Sequence, residues 1–428
     1  MKKFSIVLLV GIFLLGLGNS PCGAQAAKKL KMGLVGSFSG PLAPMVSTTR
    51  NGALLAQKHI NEDGGFVVAG QKYLVDLIEC DIRTDAKVAV ACATRLMDED
   101  DIKIMIGPMY SAATIAVQAI AQPRKVIQIN YSSAKEIIRP GITYTLNGTT
   151  SAEFRAKFLP PFFVNEMGIK TVAFIVENMA TARSMYDFQA PAFEALGCKV
   201  VGKETFETGE TDFFTILMRL KTKNPDALFV ATNPGNGALV VKQRLEIGWP
   251  VQTIGESNNI SSVEFFRIGG PAVEGHVELS YLTPWTKLTP ELIELVRLDQ
   301  KKRERFNREY IKEFGEKARV GGVDDAGYDY VYWAVELMKR AGTVTDTDKI
   351  MHAARTFEYR GVLGGIKVSP LGRMDNRGFI SLFHPSDKPD KADIMAVWWT
   401  TDIDAMKYQM NIVKKPPRIE EVRKQKGY

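Results

Sequence analysis

Histidines, thiols and serines carry the side chains whose chemistry has to be tested first, and most of them stand alone. His59, His276, His352 and His384 are far apart, and none lies in an HExxH or CxxC setting, so none is placed to share a metal ion. The segment Gly36-Ser37-Phe38-Ser39-Gly40 looks like a nucleophile elbow, yet that motif needs serine at its centre, where this chain has Phe38. There is no P-loop, and the turn after the first strand lacks GxGxxG, so a dinucleotide cradle has no anchor. No motif recommends an enzyme, a metal or a cofactor.

What remains is polar and uncharged. Gly107-Pro108-Met109-Tyr110-Ser111-Ala112-Ala113-Thr114 follows an apolar run and is expected to open a helix at Ser111. Asn130-Tyr131-Ser132-Ser133 is expected to do the same after the next strand. A helix start presents unpaired N–H groups and a partial positive charge, and nearby hydroxyls add donors. Two such starts at neighbouring strand ends could hold one carboxylate in the crevice where open α/β sheets bind ligands. Ordinary N-capping by Ser111 and by Ser132 or Ser133 is the open alternative.

The elements that must position these loops alternate along the chain. Leu30 to Val35, Tyr73 to Ile78, Ile102 to Ile106 and Val126 to Ile129 read as strands; Thr48 to Asn61, Ala86 to Met97 and Ser111 to Gln122 read as helices between them. The cycle restarts at Thr171 to Val176 and runs through Lys199 to Glu204, Ala227 to Ala231 and Val251 to Ile254, with helices between. Two βαβ series predict two similar α/β lobes, each around a parallel sheet. Beyond His276, a helix from Thr289-Pro290-Glu291 is expected to run to Phe314, and another spans about Asp325 to Arg340. Ile366 to Val368 and Ile394 to Trp399 are expected as late strands.

The 428 residues, 45% hydrophobic and 24% charged, allow two cores and exclude a disordered chain. The net charge of +7 is concentrated at the ends: Lys2 and Lys3 at the start, and seven basic against two acidic residues from Met406 onward. The body between is close to neutral, so no nucleic-acid partner is expected. The positive start, the apolar run Phe4 to Gly18 and Ala24-Gln25-Ala26 have the layout of a cleavable export signal over residues 1–26. A lipid-modified Cys22 is the alternative, which Asn19-Ser20-Pro21 fits poorly. Export permits a disulfide; Cys80 and Cys92 are the nearest pair, two unpaired core thiols remain open, and Cys198 is then left over.

Taken together, the motifs resemble those of the type I periplasmic solute-binding proteins of ABC importers, of the leucine/isoleucine/valine-binding family. The resemblance is carried by Gly36-Ser37-Phe38-Ser39-Gly40-Pro41, Ile60-Asn61 with Gly64-Gly65 before Gly70, Asp81, and Ala86, Ala89 and Ala93. It continues through Ile106-Gly107-Pro108 with Ser111, Gly255-Glu256, Glu274-Gly275, Thr283-Pro284-Trp285 and Ala326-Gly327-Tyr328-Asp329 to Ala341-Gly342. It implies a three-crossing hinge near Gly148, Ser280 and Asp375. Lobe 1 is then 27–148 plus 280–373 and lobe 2 is 149–279 plus 374–404; by its own composition 405–428, a basic run without a core-forming pattern, is expected as a solvated extension, with contact to anionic lipid or the permease as the alternative.

The resemblance also implies a monomeric extracytoplasmic receptor that hands a small carboxylate to a permease in the cytoplasmic membrane. The ligand is an amino acid or another organic acid, aromatic ones included; a ligand sensor on the same fold is the alternative. By the family pattern Ser111, Ala112 (through its N–H), Ser132 and Ser133 hold the carboxylate, while Glu256, or Ser257 one place on, meets an ammonium. Met45 and Thr181 stand where amino-acid binders carry tyrosine, and Asn233 begins a loop that replaces an aromatic-rich one. Tyr110 and Tyr131 supply ring faces instead, which points to a reshaped pocket.

Overall fold

The computed structural model describes residues 26–256, 263–280, 282, 288–315, 318, 323–369, 374, 377–383, 392–402 and 405–427. The export signal (apart from Ala26), Ser257, Thr283-Pro284-Trp285, the crossing near Asp375 and His384 lie outside the described residues.

The first sheet gathers β1 (Lys28–Gly36), β2 (Phe66–Val68), β3 (Gln71–Asp81), β4 (Ile104–Ile106), β5 (Ile127–Asn130) and β6 (Thr145–Asn147) in the order β2-β3-β1-β4-β5-β6. All its pairings are parallel except the β2–β3 hairpin. Between these strands run α1 (Ala43–Glu62), α2 (Ala86–Asp98) and α3 (Ser111–Ala121). Parallel strands buried on both faces tend to be continuous apolar runs, as Ile104–Ile106 is, whereas Ile127–Asn130 is fully buried with Gln128 and Asn130 alternating with its two isoleucines. Cys80 at the end of β3 and Cys92 in α2 form a disulfide with their Cα atoms 6.0 Å apart, and Cys198 is buried as a free thiol.

After α4 (Ala152–Arg155) and the short α5 (Leu159–Pro161), the chain builds the second sheet. Its strands are β7 (Thr171–Glu177), β8 (Lys199–Phe206), β9 (Ala227–Ala231), β10 (Gln252–Gly255) and β11 (Val277–Ser280), with α6 (Ala180–Ala195), α7 (Phe214–Lys221), α8 (Pro234–Glu246) and α9 (Val263–Gly269) between them. It then forms α10 (Pro290–Leu295), whose Leu292, Ile293 and Leu295 join a small apolar cluster with Phe379 and Val397 of the second sheet, and returns to the first core with α11 (Gln300–Phe314), α12 (Val323–Ala341), α13 (Thr347–Ala354) and the hairpin of β12 (Glu358–Arg360) and β13 (Gly365–Lys367). β14 (Arg377–Phe383) and β15 (Ala392–Asp402) rejoin the second sheet in antiparallel pairing.

Helices α1 and α12 pack so closely that glycine is required at their crossing. A Cβ on Gly52 would lie 2.0 Å from the Asp324 carbonyl oxygen, and one on Gly327 would lie 2.0 Å from that of Thr49. The Ala326-Gly327-Tyr328-Asp329 motif is therefore a packing device. Among the described residues no helix is long and apolar enough to cross a membrane.

Three expectations need correction. The helix expected from Thr289 to Phe314 breaks into α10 and α11, because Arg297 turns left-handed (φ 53°) and Asp299 starts a new helix by accepting the Lys302 N–H at 3.0 Å. No helix opens after Asn130; the loop there is held in place by Gln118, which donates to the Ile137 carbonyl at 2.9 Å. The basic tail is not a solvated extension. Residues Lys407–Ile412 form β16, paired antiparallel with β15, and α14 (Ile419–Lys426) buries Ile419 and Val422 in the second core. Spaced three apart, these two share one helix face, and the surrounding charges hide so short an apolar stripe. Arg423 reaches Asp226 at 3.3 Å, so part of the tail's charge is matched within the lobe.

Candidate functional site

A cavity of about 670 Å³, mouth included, lies between the two lobes. Its first wall comes from the strand ends of the first sheet. β4 ends at Ile106, the chain turns through Gly107-Pro108, and Tyr110 in extended conformation precedes α3 without any side-chain cap. Ser111 is thus the first helical residue, not the cap, and the N–H groups of Ser111, Ala112 and Ala113 precede the first intrahelical bond, made by Thr114 N to the Tyr110 carbonyl at 2.8 Å. The Ser132 loop is pinned beside this helix start. The hydroxyls of Thr114 and Ser132 bond at 2.9 Å, and Asn147 Nδ2 donates to the Ser132 carbonyl at 2.8 Å.

The second wall starts from the ends of β7, β9 and β10. Thr181 in the first turn of α6 hydrogen-bonds the Ser111 hydroxyl across the cleft at 2.8 Å. Nearby, Lys135 and Asp187 form a second bridge between the lobes at 3.0 Å. Asn233 is occupied twice: its backbone N and Nδ2 donate to the buried Glu177 carboxylate at 2.7 and 2.8 Å, and its Oδ1 caps α8 by accepting the Asn236 N–H. Glu256, at the end of β10, is fully buried. Gln189 Nε2 donates to its Oε2, while Oε1 faces the Arg155 guanidinium at 4.0 Å. Burial pushes the Glu256 carboxyl up to about 7 against the pull of Arg155 and Gln189, with Glu278 adding to the rise.

Met45, Tyr110, Ser111, Tyr131, Ser132, Ser133, Thr181, Asn233 and Glu256 all line the cavity. Ala112 does not line it. Tyr131 packs against both cores, and burial, aided by Glu177, raises the Tyr110 phenol above its ordinary range. Gly36-Ser37-Phe38-Ser39-Gly40 is a loop clamped by Asp81, which accepts the Phe38 N–H at 2.9 Å and the Ser39 hydroxyl at 2.5 Å.

Reading the sequence missed Arg155, together with the apolar lining from Leu42, Met109, Met179 and Met185. Arg155 is 4% exposed and donates to Thr149 Oγ1 at 2.9 Å, to Thr150 Oγ1 at 3.2 Å and to the Glu256 carbonyl at 3.2 Å. Its only local signal was a cation beside the buried Phe154, with Lys157 two residues on blurring it.

Residues 29–380 match the sequence profile of the family described as periplasmic binding protein. The chain belongs to that family. It is accordingly a ligand receptor and not an enzyme. The Leu/Ile/Val-binding protein BraC3 of Rhizobium johnstonii is 24% identical over 249 residues, 58% of this chain and 66% of that protein. The leucine binding protein LivK of Thermotoga maritima superposes with a TM-score of 0.74 at 22% identity, over 86% of this chain and 98% of its own. A solute binding protein of an ABC transporter from Rhodopseudomonas palustris BisB5, in complex with 3,4-dihydroxy benzoic acid, superposes at 0.71 and 22% identity, over 91% and 99%. These likenesses place the chain in the type I fold of two α/β lobes.

Proposed function

We propose that this protein is the extracytoplasmic receptor of an ABC uptake transporter, exported by its N-terminal signal, working as a monomer and binding a small carboxylate between its lobes. The observation that carries the reading is the uncapped start of α3 opening onto the cavity, with the Ser111, Ser132 and Ser133 hydroxyls beside it. The ligand carboxylate accepts from these groups without a formal positive charge on that wall. The methionines and tyrosines bury its body and give affinity, and the polar groups set its orientation. The Ser111–Thr181 and Lys135–Asp187 bridges hold the lobes together around it, which presents a liganded shape to the permease. The relatives' ligands support the same class: one structural neighbour holds isoleucine and another a dihydroxybenzoic acid, both carboxylates.

A thermal-shift screen of amino acids, aromatic acids, dicarboxylates, sugars and cations tests this. Stabilisation by at least one carboxylate, with calorimetric binding near one site per chain, is the expected outcome. Stabilisation by sugars or cations alone rejects it.

A further inference from the structure

We propose that Arg155 is a specificity-determining residue: its guanidinium occupies the place beside Glu256 that a ligand ammonium would take, so the ligand is a carboxylate without an α-amino group. This rests on the cavity being the carboxylate site. Arg155 and Glu256 are the charged side chains among the residues lining the cavity. The guanidinium cannot lose its proton, and it is fixed by Thr149, Thr150 and the Glu256 carbonyl, so its charge is permanent and cannot swing away. An ammonium drawn to Glu256 would have to share that carboxylate with a cation already 4.0 Å from it, both groups being buried. The two positive charges repel where screening is weakest.

A ligand carrying only a carboxylate meets no such conflict. Arg155 then balances the anion within the cavity as a whole, and a protonated Glu256 removes the opposing charge. The groups facing Glu256 are Arg155 from α4, Gln189 from α6 and Glu278 from β11, the last lying 3.4 Å from His276. Of these, only Arg155 offers Glu256 a cation at close range. The rest of the lining fits an apolar or aromatic body, since Leu42, Met45, Met109, Met179 and Met185 offer no donor to a second ionised group.

The test is calorimetry on ligand-free protein with matched pairs, each amino acid beside its desamino acid. The pairs run from alanine and propanoate through leucine and 4-methylpentanoate to phenylalanine and 3-phenylpropanoate. The desamino member is expected to bind at least 30-fold more tightly wherever a skeleton fits. Tighter binding of the amino acid overturns the inference while leaving the carboxylate receptor intact. Binding of neither series, together with no stabilisation by any acid in the thermal-shift screen, overturns both. Two variants give independent signs. Arg155→Met narrows the preference at least tenfold if it folds. Glu256→Gln tightens the desamino acid at least threefold at pH 8, where an ionised Glu256 repels it; a loss of binding in this variant contradicts the inference.

Discussion

The two walls of the cleft meet one cavity with different chemistry. The first lobe offers backbone N–H groups at an uncapped helix start and neutral hydroxyls, and no charged side chain from it reaches the lining. Both lobes supply methionines, and the second adds an internal ion pair, Arg155 with Glu256, both buried. Neutral donors can hold an anion without leaving an uncompensated charge when the site is empty, because water solvates them at little cost. An ion pair cannot be left half-made, so the second wall is the one whose disruption endangers the fold as well as binding.

The largest effect is expected there. Arg155→Ala strands the Glu256 carboxylate and empties a filled volume, and should cost about 3–5 kcal/mol of stability in urea unfolding at pH 8. A cost no greater than that of Ser111→Ala would erase the contrast between the walls.

Next comes pH. The unfolded chain releases the Glu256 proton near 4.5, whereas the folded protein holds it to about 7. Stability therefore falls as pH rises between those values, by roughly 3 kcal/mol for this group. Asp329 in the first lobe is also pushed to about 7 by burial, although it accepts the N–H groups of Val362 and Leu363 at 3.1 and 2.8 Å and lies outside the cavity lining. Glu256→Gln should thus remove about half of the combined slope, and Asp329→Asn the other half. Denaturation at pH 5 and 8 reads this; a slope unchanged in both variants would show that neither acid is held neutral.

On the first wall the expected effect is smaller and confined to binding. Ser111→Ala should weaken the carboxylate by about 1–3 kcal/mol in calorimetry and barely change the unfolding midpoint without ligand. The smallest is at the rim: Lys135→Ala breaks the bridge to Asp187, half-exposed on both sides, and should weaken binding by no more than about 1 kcal/mol, less at high salt.

These contrasts follow what the sequence could express. Strand and helix alternation is a local signal, so both lobes and the loops carrying Tyr110, Ser111, Tyr131 and Ser132 were legible from apolar runs ending in polar turns. Whether a serine caps a helix depends on one residue of register, and only the structure puts Tyr110 before the helix and Ser111 inside it. Arg155 was invisible for another reason. Its partner Glu256 is about a hundred residues away, and nothing near Phe154 says that a cation will be buried against an acid. The tail was misread because two apolar residues among many charges carry little weight until a core exists to receive them.

The central claim is that the cavity grips a carboxylate at the start of α3, and a crystal structure with a bound acid tests it most directly. The account predicts carboxylate oxygens within hydrogen-bond reach of the α3 N-terminal amides and the Ser111 or Ser132 hydroxyl, with the body among the methionines. An acid whose carboxylate turns to solvent, or one that binds away from this cleft, would contradict it.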